Sequence, residues 1–570
     1  MTANSTSSDT KTPWGIFLFV FALAISARLA ATMETRDVPT VRHLVGDAAG
    51  YYAWAQRIAA GDWIGSEGFY QAPLYPYVLA VWFRLFGEGV GTIRTLQAVL
   101  GAAGCVLLAA AGWQLWGRRV GTVAGVMLAL YGPAVYFDGI VQKASLAGFL
   151  TCGLLASISW LIVRPGWRAA GVAGLASGLL SNTRENALAW VVVVTVWLAA
   201  RAYRSSDGKR GWLGLAAFAL GVGAILFPVT LRNRVVSGEW SVSTFQAGPN
   251  FYIGNHRGAD GRYQPLVRGH ETPQFERVDA TRLAEQELGR TLTAEEVSSF
   301  WMKRTFADIR ADWVGWTKLV GYKLLLTLNR YEIADAESLH VHRASSWTLG
   351  ILTRTWHFGT MAPLAAVGIL AAWCERRRLW ILLAMIAVMT AAVAAFYVLG
   401  RYRFPIAVAL IPFAARGATD VLGYLKTGGV WRRLVLAAIV GVVVNVPIQD
   451  EPRLNALSKM NAGVALAQAG ELAEATILFQ GAASDHPTSA EARNNLALAL
   501  AVQNRFAEAV EHYTAALRLE PSLLGVEFNL AVALENVGRA DEALEHYRRA
   551  TQLDPGDDEA KAALRRLNQR

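Results

Sequence analysis

Cysteine is scarce in this chain. There are three, Cys105, Cys152 and Cys374, each within an apolar run and none in a CxxC spacing. That excludes a disulfide framework and a cysteine-based zinc site. The histidines His256, His270, His340, His342 and His357 are scattered and form no HExxH spacing. Charge is also sparse: 17% of residues are charged against 54% hydrophobic, more apolar than a typical soluble protein. At 570 residues the chain exceeds one ordinary soluble domain. The formal charge of +10 looks basic. Most clustered Arg and Lys flank apolar runs, however, where membrane topology accounts for them without nucleic acid.

Long apolar runs dominate the chain up to about Gln449 and are missing from 450–570. A bilayer needs about 20 apolar residues per helix. By that measure eleven spans are expected, near 14–32, 91–116, 120–137, 143–163, 169–183, 187–201, 212–230, 347–372, 379–399, 404–422 and 433–448. The first lacks a small-residue cleavage site, so it reads as a span and not as a signal peptide. Residues 1–12 (MTANSTSSDTKT) read as a disordered cytoplasmic tail. Arg118 and Arg119, Arg164 and Arg168, Arg201 to Arg210, Arg376 to Arg378, and Lys426 to Arg433 fall on alternate loops. With a cytoplasmic N-terminus they share the inner side. The outer side then receives a first loop at 33–90, a large loop at 231–346, the short connections 138–142, 184–186 and 400–403, and everything after 449. The stretch 312–332 carries Lys318 and Lys323 and is expected to be interfacial or re-entrant, its lysines facing headgroups or a cavity.

The region 450–570 is a repeat. Pro487, Pro521 and Pro555 are spaced by 34 residues, as are Asn461, Asn495 and Asn529; Ala475, Ala509 and Ala543; Phe479, Tyr513 and Tyr547; and Ala482, Ala516 and Ala550. This is the tetratricopeptide pattern. Three repeats are expected, at 456–489, 490–523 and 524–557, followed by a capping helix. Such units stack into a solenoid whose concave face commonly docks a peptide or partner protein; a spacer or self-association role is the alternative. The expected fold is thus all-α: a polytopic membrane bundle over 13–449 and an α-solenoid after it.

Several charged and aromatic segments fall on the outer side together: "GDAAGYY" with Asp47, "FYQAPLYPYVLA", "YFDGIVQKASL" with Asp138 and Lys143, "SNTRENAL" with Arg184, "AGPNFYIGNHRG", "LNRYEIADAESL" and "GRYRFPI". A membrane enzyme acting on a lipid-linked phosphate needs such a set. Cations hold the phosphate and stabilise the charge building on it. A carboxylate takes the proton of an acceptor hydroxyl. Plainer readings exist for each residue. Asp47 suits a helix N-cap, Arg401 and Arg403 suit a helix entrance at the interface, and Asn250 and Asn255 suit turns.

Over residues 14–425, the order of Gly46 and Asp47 with Tyr51 and Tyr52, "QAPLYPYVLA", "TRENAL", "GPNFYIGN" and "RYRFP" resembles the GT-C fold membrane glycosyltransferases. The likeness is to the family 39-like group of protein O-mannosyltransferases and the aminoarabinose transferase. Bacterial members with a tetratricopeptide tail are similar throughout. The resemblance implies a polyprenyl-phosphate sugar donor and transfer on the periplasmic side of a bacterial inner membrane. The acceptor is a protein, lipid or glycan hydroxyl. It makes Asp47 the general base. Arg184, Arg401 and Arg403, joined by Lys143, become phosphate ligands. Tyr70, Gln71 and Tyr75 line the cavity, and Asn250, Tyr252 and Asn255 meet sugar or acceptor hydroxyls. The mannosyltransferases place two acids side by side, whereas here Ala48 follows Asp47; a second acid is expected from Asp138 or Glu67. No acid cluster like the metal site of oligosaccharyltransferases is present, so no metal or other cofactor is expected. A ligase or polymerase of polyprenyl-linked glycans, and a transporter or scaffold recruiting partners through the repeats, are the alternatives.

Overall fold

The computed structural model describes residues 13–204, 208–242, 244–267, 273–427 and 431–568. The tail 1–12 and His270 lie outside the described residues. The chain divides into two compact units. One comprises the residues up to Arg36 with Gly46–Asp335 and His342–Ile448; the other comprises Asp37–Val45, Ala336–Val341 and Gln449–Arg570. Among the described residues every regular element is helical.

Among the described residues of the first unit seven helices are long and apolar enough to cross a membrane: Trp14–Glu34, Val90–Trp116, Ala144–Val163, Glu185–Arg204, Gly208–Ser237, Trp373–Ala395 and Gly400–Val421. This is a multi-pass membrane protein. An eighth candidate is Arg118–Ala129 joined to Gly132–Gly139, bent by 51°. Pro133 opens the second half of that pair; its missing N–H and ring stop a straight helix from running through. The remaining stretches expected as spans form shorter or broken helices. Trp167–Ser181 and Trp431–Asn445 are helices of 15 residues. Residues 347–372 break into Trp347–Thr355 and Phe358–Ala371, where the His357 side chain accepts from the Gly359 amide and caps the second helix.

The spans pack through small residues, as membrane helices do where burial of apolar surface gives little drive. A Cβ on Gly174 would lie 2.2 Å from the Phe218 carbonyl oxygen, and one on Gly368 would lie 1.7 Å from that of Phe413. Those backbones touch. Within the bundle Arg28 and Asp138 form a buried ion pair at 2.7 Å, and Ser145 donates to the same carboxylate. Gly101 lies against them: a Cβ there would meet the Asp138 carboxylate at 2.0 Å.

Two further outer segments form helices too short to span. Leu74–Phe86 buries Tyr75, Leu79 and Phe83. Trp313–Leu328 differs from expectation in one respect. Lys318 is exposed, but Lys323 is fully buried and donates to Asn255 Oδ1 (2.9 Å) and the Phe396 carbonyl (2.7 Å). A buried ammonium needs acceptors, and here the chain supplies them, so Lys323 faces neither headgroups nor a cavity.

The second unit contains three helical hairpins: Glu451–Gln468 with Leu472–Asp485, Ala490–Val502 with Phe506–Leu519, and Val526–Asn536 with Ala540–Leu553. Asp558–Leu567 follows as the cap. The periodic alanines and aromatics form its core. Ala475, Ala482, Ala509, Ala516 and Ala543 have no exposed surface, and Phe479, Tyr513 and Tyr547 pack among them. Two short stretches from earlier in the chain, Asp37–Val45 and Ala336–Val341, join this unit. Arg42 pairs with Glu471 (2.8 Å) and Glu474 (2.7 Å), His43 meets Glu471 (2.8 Å), and Thr40 donates to Glu337 (3.1 Å).

Candidate active site

The site is assembled from the N-terminal ends of four helices in the first unit. Asp47 stands in the first turn of Gly46–Ala59. Gly46 starts that helix with φ +55°, a left-handed conformation that glycine adopts without strain. Lys143 directly precedes Ala144–Val163. Arg184 precedes the turn Glu185–Ala187, which runs into Leu188–Arg204. Arg401 lies in the first turn of Gly400–Thr427. All four side chains are buried or nearly so.

Asp47 is not a cap. Its Oδ2 takes a short charged hydrogen bond from Arg401 Nη1, and its Oδ1 accepts from Gln71 Nε2 at 3.1 Å. Burial alone would raise its pKa. The charges of Arg401 and Lys143, with the hydrogen bonds from Arg401 and Gln71, outweigh that and hold the carboxyl below its ordinary value. Arg401 also meets Asp335 at 2.9 Å. Its Nε is buried without a hydrogen-bond partner.

Arg184 is 2% exposed, and its Nε and Nη2 make no hydrogen bond. Its guanidinium lies 5.1 Å from the Tyr402 ring centroid, and burial pushes its pKa down to about 10. The next residue, Glu185, accepts from Gln246 at 2.8 Å. Lys143 Nζ stands 5.9 Å from the Tyr51 ring, whose hydroxyl is buried without a partner. Tyr75 packs edge-on to Tyr51 and donates to Gln97 at 2.6 Å, behind the cluster. Tyr397 donates to Asn250 at 3.2 Å and lies 3.4 Å from the Tyr402 hydroxyl, which links Asn250 to the ring against Arg184.

The other expected residues are committed elsewhere. Arg403 is ion-paired with Glu332 over the Phe358 ring and donates to the Asn329 carbonyl, a separate buried pair. Asn255 serves Lys323 and Trp316. Tyr252 packs on Trp301 and stacks with His256. Neither expected second acid reaches Asp47. Asp138 is held by Arg28 inside the bundle, and Glu67 pairs with Arg277 on an exposed surface. Two acids not singled out from the sequence stand nearer. Asp335, on Arg401, lies in the flagged segment "LNRYEIADAESL". Glu276, on Tyr70 at 3.4 Å, lies in a polar helix, Pro273–Leu288, with no motif to mark it. Among the described residues no group of three or more His, Cys, Asp or Glu side chains is arranged to hold a metal ion.

The cluster therefore offers buried cationic donors beside a carboxylate held by an arginine. Donors of that kind suit an anion with several oxygens. A family model for the tetratricopeptide repeat matches residues 461–524 and 495–558. A comparison with curated proteins found no match. Among solved structures, the chain is similar to the archaeal oligosaccharyltransferase AglB from Archaeoglobus fulgidus, in complex with an inhibitory peptide and a dolichol-phosphate. The identity is 14% and the TM-score 0.44, covering 79% of this chain and 55% of that one. The chain thus spans about half the length of the archaeal enzyme. The C-terminal region is similar to the tetratricopeptide domain of Arabidopsis OM64, at 22% identity and TM-score 0.20, covering 21% of this chain and 98% of that one. It is also similar to the first such domain of Spaghetti (RPAP3) bound to an HSP90 peptide. There the identity is 24% and the TM-score 0.20, over 20% of this chain and 93% of that one.

Proposed function

We propose that this chain is an integral-membrane glycosyltransferase. It moves a sugar from a polyprenyl-phosphate donor to an acceptor hydroxyl at the extracytoplasmic face of a bacterial inner membrane. The observation that carries the reading is Arg184, buried with two N–H-bearing nitrogens that meet no acceptor in the chain. Each such group costs about 1–3 kcal/mol if left unsatisfied, and a phosphate oxygen relieves that cost. Arg401 Nε adds a third donor, and Lys143 adds charge. The helices beginning at Ala144 and Gly400 contribute the positive ends of their dipoles.

The reaction follows from that arrangement. The acceptor oxygen forms a bond to the anomeric carbon. The bond from that carbon to the phosphate oxygen breaks, and its electron pair leaves with the phosphate. Arg184, Arg401 and Lys143 stabilise the growing charge. Asp47 takes the proton of the acceptor hydroxyl as the general base expected from the sequence, and keeps Arg401 oriented. The repeats present a surface for an acceptor protein or a partner enzyme.

The test is turnover of radiolabelled polyprenyl-phosphate sugars, hexose and pentose, by the purified full chain with water as acceptor. The wild type releases sugar. Asp47→Asn loses about 100-fold or more, the scale of a group acting in the transition state. Wild-type rates in a folded Asp47→Asn protein would overturn the assignment.

A further inference from the structure

The helix Gly46–Ala59 carries Asp47 and, one turn on, Tyr51. Residues four apart share a helix face, so the phenol lies on the side of the carboxylate. Lys143 Nζ stands 5.9 Å from the Tyr51 ring. Asp47, Arg401, Glu185 and the Tyr402 hydroxyl are the groups whose charge acts on its oxygen, and Tyr51 acts in turn on Arg184 and Arg401. Both of those guanidinium groups lie against the Tyr402 ring, at 5.1 and 5.2 Å from its centroid. Tyr51 thus faces the same three cations that gather beside Asp47.

Tyr51 is 1% exposed, yet among the described residues its hydroxyl has no hydrogen-bond partner. Buried phenols ordinarily find one. The tyrosine beside it does: Tyr75 packs edge-on at 5.3 Å and donates to Gln97 at 2.6 Å. An unmet buried hydroxyl costs stability, and a phenylalanine would fill the same space without it. The fold therefore has no use for the Tyr51 oxygen. Burial first, and then the charge of Asp47, hold its pKa well above the ordinary phenol value. It stays a neutral O–H, free to donate.

We propose that the Tyr51 hydroxyl donates a hydrogen bond to a phosphate oxygen of the lipid-linked donor, beside Arg184 and Lys143. The proposal rests on the glycosyltransferase reading and adds a neutral donor to its cations. When the bond from the anomeric carbon to the phosphate oxygen breaks, the electron pair stays on that oxygen and the phosphate gains a second negative charge. Tyr51 keeps its proton. Its hydrogen bond strengthens as the charge on the acceptor oxygen grows. A sugar hydroxyl suits this place less well, because cations on several sides favour an anion.

The experiment compares the full chain with its Tyr51→Phe variant. The hydroxyl has no partner to lose in the free protein, so the variant unfolds at a temperature no lower than the wild type. Binding isotherms then use polyprenyl phosphate and, as the phosphate-free control, the corresponding polyprenol. Affinity for polyprenyl phosphate falls about tenfold or more, the value of one hydrogen bond to a charged group. Affinity for the polyprenol is the same in both proteins. Turnover at saturating donor falls about 100-fold, as for one donor removed from a developing anion. A lower unfolding temperature, equal affinity for polyprenyl phosphate, a polyprenol affinity that falls as much, or unchanged turnover overturns the role of Tyr51 and leaves the transferase reading standing. A wild type that binds polyprenyl phosphate no better than polyprenol overturns the phosphate site itself, and the Tyr51 contact falls with it.

Discussion

Single buried charges divide into two kinds in this protein, and their partners tell them apart. Arg28 and Asp138 satisfy one another, with Ser145 on the carboxylate and the carbonyls of Ala24 and Ala129 on the guanidinium. Arg403 is committed in a similar way, ion-paired with Glu332 and donating to the Asn329 carbonyl. Such pairs hold the bundle, each cation facing a carboxylate of the chain. Removing one partner strands the other, at a cost of about 3–5 kcal/mol. Asp138→Ala is therefore expected to lower the midpoint of thermal unfolding in detergent, and Arg28→Met with Asp138→Leu to recover part of the loss. An unchanged midpoint in Asp138→Ala would contradict this reading of the pair. Arg184 is the other kind. Its donors exceed what the chain supplies, which marks it for a ligand. The sequence could not make this distinction, because Asp138, Arg184, Arg401 and Arg403 all read as charges at a membrane boundary.

At the scale of elements, what was legible was what periodicity and apolar length encode. The alanine and aromatic columns of the 34-residue period became buried positions of three helical hairpins, and the long apolar runs became helices. The span count failed where a run of suitable composition was broken by local chemistry: Pro133 in one pair, the His357 cap in another. The site was legible in part. Asp47 and Arg401 are separated by 354 residues and meet, and both lay in segments chosen for their charge and their side of the membrane. Glu276 was not legible. Pro273–Leu288 is a polar helix among polar loops, and only tertiary burial beside Tyr70 and Asp47 gives its carboxyl a raised pKa. Asn255 and Tyr252 misled for the opposite reason: polar residues in a glycine-rich stretch look available until packing assigns them partners.

On the scale of the whole molecule, the repeat unit is not built from the C-terminal residues alone. Residues 37–45 and 336–341 belong to the repeat unit. The chain runs from the first directly into Gly46 and Asp47, and the second follows directly on Asp335. Removing the repeats strips Arg42 and His43 of their partners Glu471 and Glu474. Truncation after Ile448 is expected to lower donor turnover itself as well as transfer to a native acceptor; undiminished turnover by the truncated protein would show that the repeats only dock partners. The central claim is that Arg184 holds the phosphate of a lipid-linked donor. Its most direct test is a binding isotherm of polyprenyl phosphate, without sugar, on the full chain and on Arg184→Met. The account predicts an affinity lower by about tenfold or more in the variant, the value of a charge-assisted hydrogen bond at roughly 1.5–3 kcal/mol. Equal affinity in a folded variant would contradict it.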